Sequence, residues 1–130
     1  TENAVLRRRL VLALADVGDP SLLAPGQALA LAPELATKER LLLVRAPAWR
    51  PVTLAAQLAW FEREFERVRP LLPESVTSDI PSWFEGLCTR DGRRALADFL
   101  DDQRLPGTER SGAAALEAIE QCLALHDGRS

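Results

Sequence analysis

The sequence contains no methionine and no tyrosine, one histidine (His126), one lysine (Lys38) and two cysteines, Cys88 and Cys122. Each scarcity removes a class of function. With one histidine, two distant cysteines and no His-x-x-x-His pair, an ordinary zinc site has too few ligands. No Cys-x-x-Cys pair is present, and two cysteines in a chain with this much apolar sequence do not read as a disulfide framework. Both are expected to be free, buried and core-like. A basic face is missing too: the net charge is −3 and the pI is near 5.2, which argues against nucleic-acid binding. The longest apolar runs, "LVLALA" (10–15) and "LLLV" (41–44), fall far short of a membrane span. No basic-then-apolar leader opens the chain, so a cytoplasmic location is expected. The start Thr-Glu-Asn, without Met, predicts a piece cut from a longer polypeptide.

What is present is ordinary for a folded protein. Over 130 residues, 47% are hydrophobic and 27% charged, enough for one domain, 1–130, with a real core. Fifteen arginines against one lysine, with abundant Ala and Leu, read as high-GC codon usage.

Strong breaks separate apolar segments of helical period. Asn3 is placed to cap a first helix reaching about Asp16, with Leu6, Leu10, Val11 and Leu14 on one face. "GDP" (18–20) supplies a stop, a cap at Asp19 and a first helical residue at Pro20. Pro25-Gly26 predicts a kink, or two short pieces, within 20–31. Thr37 is read as the cap of a helix over 38–46. The clearest helix is 51–69, where Leu54, Leu58, Phe61, Phe65 and Val68 recur at spacings of 4, 3, 4 and 3. Its other face carries Glu62, Arg63, Glu64, Glu66, Arg67 and Arg69, and is expected in water. A linker over 70–78 leads to a short helix from Asp79 to Leu87. Thr89 is placed to cap a helix over 90–102, with Leu96, Phe99 and Leu100 inward. Thr108 is placed to cap a last one over 109–126, with Ala115, Leu116, Ile119, Cys122 and Leu123 inward and Gly128 just past its end. No segment alternates with period two. The expected fold is all-α: about seven helices in stacked antiparallel hairpins of HEAT-like type.

Candidate sites are weak. Cys88 precedes a helix N-terminus, which favours a thiolate. A cysteine nucleophile also needs a base, and His126 lies at the far end of the last helix. Asp98, Asp101 and Asp102 form an acidic group expected to be simply solvated. Arg7, Arg8 and Arg9 make one turn of exposed helix. Trp49, Trp60 and Trp83 are spread over a loop and two helices, as structural supports would be. The segments hold no phosphate loop and no Gly-x-Ser-x-Gly. No catalytic, cofactor-binding or metal residue is assigned.

The order of segments nevertheless resembles a known family. "LAWFEREFERVRPLLP" (58–73), "IPSWFEGLCTRDGRRALADFLDDQ" (80–103) and "GTERSGAAALEAIEQCLAL" (107–125) are similar to the last helices of the C-terminal helical domain of zinc aminopeptidases, of the aminopeptidase N and endoplasmic-reticulum aminopeptidase type. Phe84, Cys88, Phe99, Glu117, Ile119 and Cys122 occupy the matching places, and "LRRRLVLALADVGDPSLLAPGQALAL" (6–31) looks like one of that domain's hairpins. Pro25-Gly26 departs from it. The resemblance implies a non-catalytic part that packs on a catalytic domain, helps enclose a peptide chamber and moves with it. The family's His-Glu-x-x-His and Gly-x-Met-x-Asn motifs do not occur here, so zinc is expected only in an absent catalytic domain. The implied partners are the rest of the parent polypeptide and its peptide substrate, without nucleic acid or membrane. The isolated chain is expected to self-associate around Leu6, Leu10 and Leu14. One rival is a free-standing helical adaptor for a protein partner. Another is a small enzyme using Cys88.

Overall fold

Helical periodicity over most of the chain becomes helix over most of the chain. A computed structural model describes residues 2–127. Among the described residues there are eight α-helices and no strand. They are α1 (Glu2–Ala15), α2 (Ala24–Ala30), α3 (Thr37–Arg45), α4 (Pro51–Val68), α5 (Glu74–Thr77), α6 (Ile80–Trp83), α7 (Arg90–Gln103) and α8 (Glu109–Asp127). Contacts divide the chain into two compact units, residues 1–72 and 73–130.

In the first unit α1, α2 and α3 pack on one another, and α4 packs on the 3₁₀ turn Ala46–Trp49 that follows α3. The α4 stripe forms the core as its spacing requires: Leu54, Leu58, Phe61, Phe65 and Val68 are all buried, as is Trp60, whose ring meets Phe61 edge-on with centroids 5.3 Å apart. Burying an aromatic or leucine side chain stabilises the folded state by about 1.5–3 kcal/mol. Thr53 and Gln57 interrupt this apolar surface. Both are fully buried and both are satisfied. The Thr53 hydroxyl donates to the Pro47 carbonyl at 2.6 Å; Gln57 donates to the Val44 carbonyl at 2.7 Å and accepts from Gln27 at 3.0 Å.

Several boundaries differ from expectation. Helix α1 already includes Glu2, so Asn3 lies within its first turn rather than capping it. Pro20–Leu22 forms a separate 3₁₀ turn ahead of α2, the two short pieces that Pro25 suggested. Asp19 is the cap of that turn, its carboxylate accepting from the Ser21 N–H at 2.9 Å and hydroxyl at 2.8 Å. These bonds, the hydroxyl's first, hold the Asp19 carboxyl below its ordinary pKa. Pro25 sits in the first turn of α2, where its missing N–H costs nothing. Ala36, not Thr37, precedes α3, with extended backbone and no side-chain cap. The segment read as a linker contains α5: Pro73 enters it with extended backbone, and the Thr77 hydroxyl bonds back to the Glu74 carbonyl. Asp79 precedes α6 without a capping hydrogen bond.

In the second unit α7 and α8 form a hairpin, with α6 against α8. Thr89 caps α7 as expected, accepting from the Gly92 N–H at 2.9 Å. A Cβ on Gly92 would stand 2.9 Å from that same hydroxyl oxygen, so the cap itself requires glycine there. Leu96, Phe99, Ala115 and Ile119 are buried between the helices, while Leu100, Leu116, Cys122 and Leu123 are half-buried. Thr108 stands immediately before α8, as expected of its cap: its carbonyl accepts from the Gly112 N–H at 2.7 Å, and its hydroxyl donates back to the Leu105 carbonyl at 2.6 Å. Gly128, the expected stop of α8, lies outside the described residues.

Helix α7 ends at Arg104, a non-glycine residue in left-handed conformation (φ 44°, ψ 52°) whose N–H closes on the Leu100 carbonyl. An L-residue there costs about 1–2 kcal/mol, which glycine avoids. Arg104→Gly is therefore expected to raise stability by about 0.5–1 kcal/mol after the extra chain entropy of glycine is subtracted. Urea denaturation checks it, and a loss of stability would mean that the exposed arginine side chain makes a compensating contact.

Candidate functional site

Two arginines explain how the short helices of the first unit hold together. Arg50 donates to the Ala15 carbonyl at 2.9 Å and pairs with Asp16 at 3.3 Å, closing the C-terminal end of α1. Arg40 is buried and bonds the carbonyls of Ala30 and Ala32 at the end of α2. The last carbonyls of a helix lack partners within it, and a cation there also complements the helix dipole. These residues are structural. Arg50 holds the end of α1, and Arg40 the end of α2.

Helix α1 is apolar on more than one side. Val11 and Ala15 face the core. At 100° per residue, Leu6 and Leu10 fall to one side of that line and Val5 and Leu12 to the other. All four are exposed, Leu6 by 61% and Leu10 by 50%; Leu14, in line with Leu6 and Leu10, is half-buried. Beyond Leu12 a shallow cleft of ≈ 190 Å³ runs past Ala15 and Leu42 to Trp49. Trp49 is exposed, with the Arg45 guanidinium 5.8 Å from its ring centre. Exposed apolar side chains on two flanks of a helix, here between Arg7, Arg8 and Arg9, mark faces that neighbours normally cover. The first unit covers only the face of Val11 and Ala15.

The second unit has a cleft of ≈ 420 Å³ at the α7–α8 turn, lined by Leu100, Asp101, Arg104, Leu105, Glu109 and Leu116 among others. Its charged groups are exposed at the rim. Its one hydroxyl, on Thr108, is buried and bonded to the Leu105 carbonyl, and the titratable groups that line it are exposed.

The residues singled out from the sequence fall as follows. Cys88 and Cys122 form a disulfide, with Cα atoms 5.6 Å apart, so neither is the free core thiol that was expected. The reason is tertiary: Cys88 lies in the turn between α6 and α7, and packing brings α8 across it. His126, one helical turn beyond Cys122, is exposed and lies in the same cluster; its ring nitrogen and both sulfurs are within 4.8 Å of one another. Linear distance along the chain had separated His126 from Cys88. Asp98, Asp101 and Asp102 are exposed. So are Arg7, Arg8 and Arg9, with Arg7 3.6 Å from Glu39. Trp60 and Trp83 are buried in their own units, and Trp49 alone of the three is at the surface. The Cys-x-x-x-His spacing of "CLALH" (122–126) was the one sequence signal for the cluster.

No family model matches the chain, nor does any curated protein or solved structure.

Proposed function

We propose that this chain is a non-catalytic docking module, the C-terminal helical part of a zinc aminopeptidase, which packs on the preceding parts of its own polypeptide through α1 and helps enclose the peptide chamber. The observation that carries the reading is the exposed apolar surface of α1, Val5, Leu6, Leu10 and Leu12, on a helix whose remaining stripe is already buried. Exposed apolar surface of this kind is usually covered in the working assembly. The resemblance of residues 58–125 to the family's last helices names the occupant: the helices that would precede α1 in a HEAT-like stack. In this reading zinc and the reacting groups belong to the catalytic part, and peptide reaches this module only within the assembled chamber. Location follows from redox state. A reducing cytoplasm would hold Cys88 and Cys122 as thiols, whereas an oxidising compartment keeps them paired.

Among the described residues no helix is long and apolar enough to cross a membrane. In this reading the surface of α1 is covered by protein. The purified chain is expected to self-associate through it. Replacing Leu6 and Leu10 together by glutamate, at exposed positions that leave the core intact, is expected to give a monomer of 14.3 kDa with unchanged far-UV circular dichroism. Sedimentation equilibrium reads the difference, and a wild-type chain that stays monomeric at high concentration would sink the docking surface. An immunoblot of source cells tests the parent. A band far above 14.3 kDa supports the aminopeptidase reading. A band at that mass removes it and leaves a free-standing adaptor.

A further inference from the structure

Cys88, Cys122 and His126 are assigned no role by the docking reading, and together they have the composition of a metal site. Thiolate and imidazole are the ligands that zinc prefers. Cys122 and His126 stand four residues apart on α8 and so share one face of the helix. Cys88 comes from the turn before α7, and its sulfur is already joined to that of Cys122. The three ligand atoms lie within 4.8 Å of one another. A tetrahedral zinc ion holds such atoms about 3.5–3.8 Å apart, from bonds of about 2.0–2.3 Å. The imidazole has to approach slightly and the sulfurs have to separate. With the cysteine Cα atoms 5.6 Å apart, rotation of their side chains separates the sulfurs.

We propose that reduction of the Cys88–Cys122 disulfide creates a Zn²⁺ site of two thiolates and one imidazole, with its fourth position open to water. The site is thus gated by redox state. A dithiol supplies the electrons: its thiolate attacks one sulfur, the S–S bond breaks, and the resulting mixed disulfide is resolved by the reagent's second thiol. The reagent leaves as its own disulfide, and Cys88 and Cys122 each end as a thiol carrying one proton. Zn²⁺ then displaces both protons to solvent, so binding weakens as pH falls. His126 is exposed, which puts the open position on the solvent side of α8. The oxidised chain has no thiolate to offer and does not bind.

The test uses the whole chain, reduced with a dithiol, desalted without oxygen and titrated with Co²⁺ as the spectroscopic stand-in for Zn²⁺. One equivalent is expected to bind, with intense sulfur-to-cobalt charge transfer in the near ultraviolet and visible bands of tetrahedral cobalt. Zn²⁺ should displace it, and the oxidised chain should show neither band. Residues that merely hydrogen-bond to metal ligands are worth roughly 10–100-fold in affinity. Losing the ligand in His126→Ala is thus expected to weaken binding about 100-fold. His126 is exposed, so this variant keeps its fold, and circular dichroism of the reduced chain with and without metal confirms it. Absence of charge transfer in the reduced chain overturns the proposal. So does equal uptake by the oxidised chain, or binding by His126→Ala as tight as wild type.

Discussion

Replacing Cys88 by serine is expected to destabilise the 73–130 unit by about 3–4 kcal/mol. The disulfide joins residues 34 apart in sequence. Closing a loop of that length in the unfolded chain removes entropy worth about 3–4 kcal/mol at 25 °C in the chain-entropy account. The unit has reason to depend on it. Below roughly 70–80 residues a single core supplies little net stability, and small units are commonly stapled. Two of its four helices, α5 and α6, are single turns that cannot persist without tertiary support. The crosslink holds the turn after α6 against α8, where Phe84, Leu87 and Ile119 are buried. Urea denaturation followed by circular dichroism reads the loss. A dithiol added to the wild type should reproduce it and should do nothing further to the variant. A loss under about 1 kcal/mol would mean that the unit folds on packing alone. Zn²⁺ added to the reduced wild type is expected to restore part of the loss, because a ligand that binds only the folded state stabilises it by mass action.

Arg40→Met is expected to cost about 3 kcal/mol in the first unit. Methionine keeps most of the volume and loses every donor. Arg40 is 4% exposed, and its Nε–H donates to the Ala30 carbonyl at 2.9 Å while an Nη–H reaches Ala32. Hydrogen bonds from a charged donor contribute about 1.5–3 kcal/mol each, and a buried carbonyl left without a partner adds its desolvation cost. Helix α2 has only seven residues and no basic residue of its own in its last turn, so no neighbour replaces the lost donor. Arg40→Lys should recover little, because a point ammonium cannot span two carbonyls as the planar fork does. Arg7 is the control. It pairs with Glu39 at 3.6 Å on the surface, and Arg7→Met should cost under about 1 kcal/mol. Equal effects at Arg40 and Arg7 would refute the capping role.

The contrast between these arginines marks how far linear reading extends. The sequence set Arg7, Arg8, Arg9, Arg63, Arg67 and Arg69 on exposed faces and assigned Arg40 and Arg50 no role. Arg40 and Arg50 differ from the rest only because α3 and the start of α4 pack where α2 and α1 end. No local pattern announces that. The break into short pieces around Pro25 was legible because proline acts on its own φ and on its own missing N–H. The Thr89 cap was legible for the same kind of reason, since its oxygen needs only the N–H three residues on. Asn3 and Thr37 carry equally good capping side chains, yet neither occupies the capping role expected of it. A capping residue states a local possibility, and the surrounding chain chooses whether to use it.

The sequence by itself determined that this protein is all-helical. It also determined which face of α4 and α7 is buried and where most helices break, because these depend on periodicity, on proline and on side chains acting within a turn of their own position. The tertiary structure alone decided that Cys88 meets Cys122 beside His126, that Arg40 serves α2, and that Leu6 and Leu10 stay in water while Val11 does not. Those outcomes depend on which surfaces meet across tens of residues, and apolar burial, having no direction, leaves no local mark of its partner.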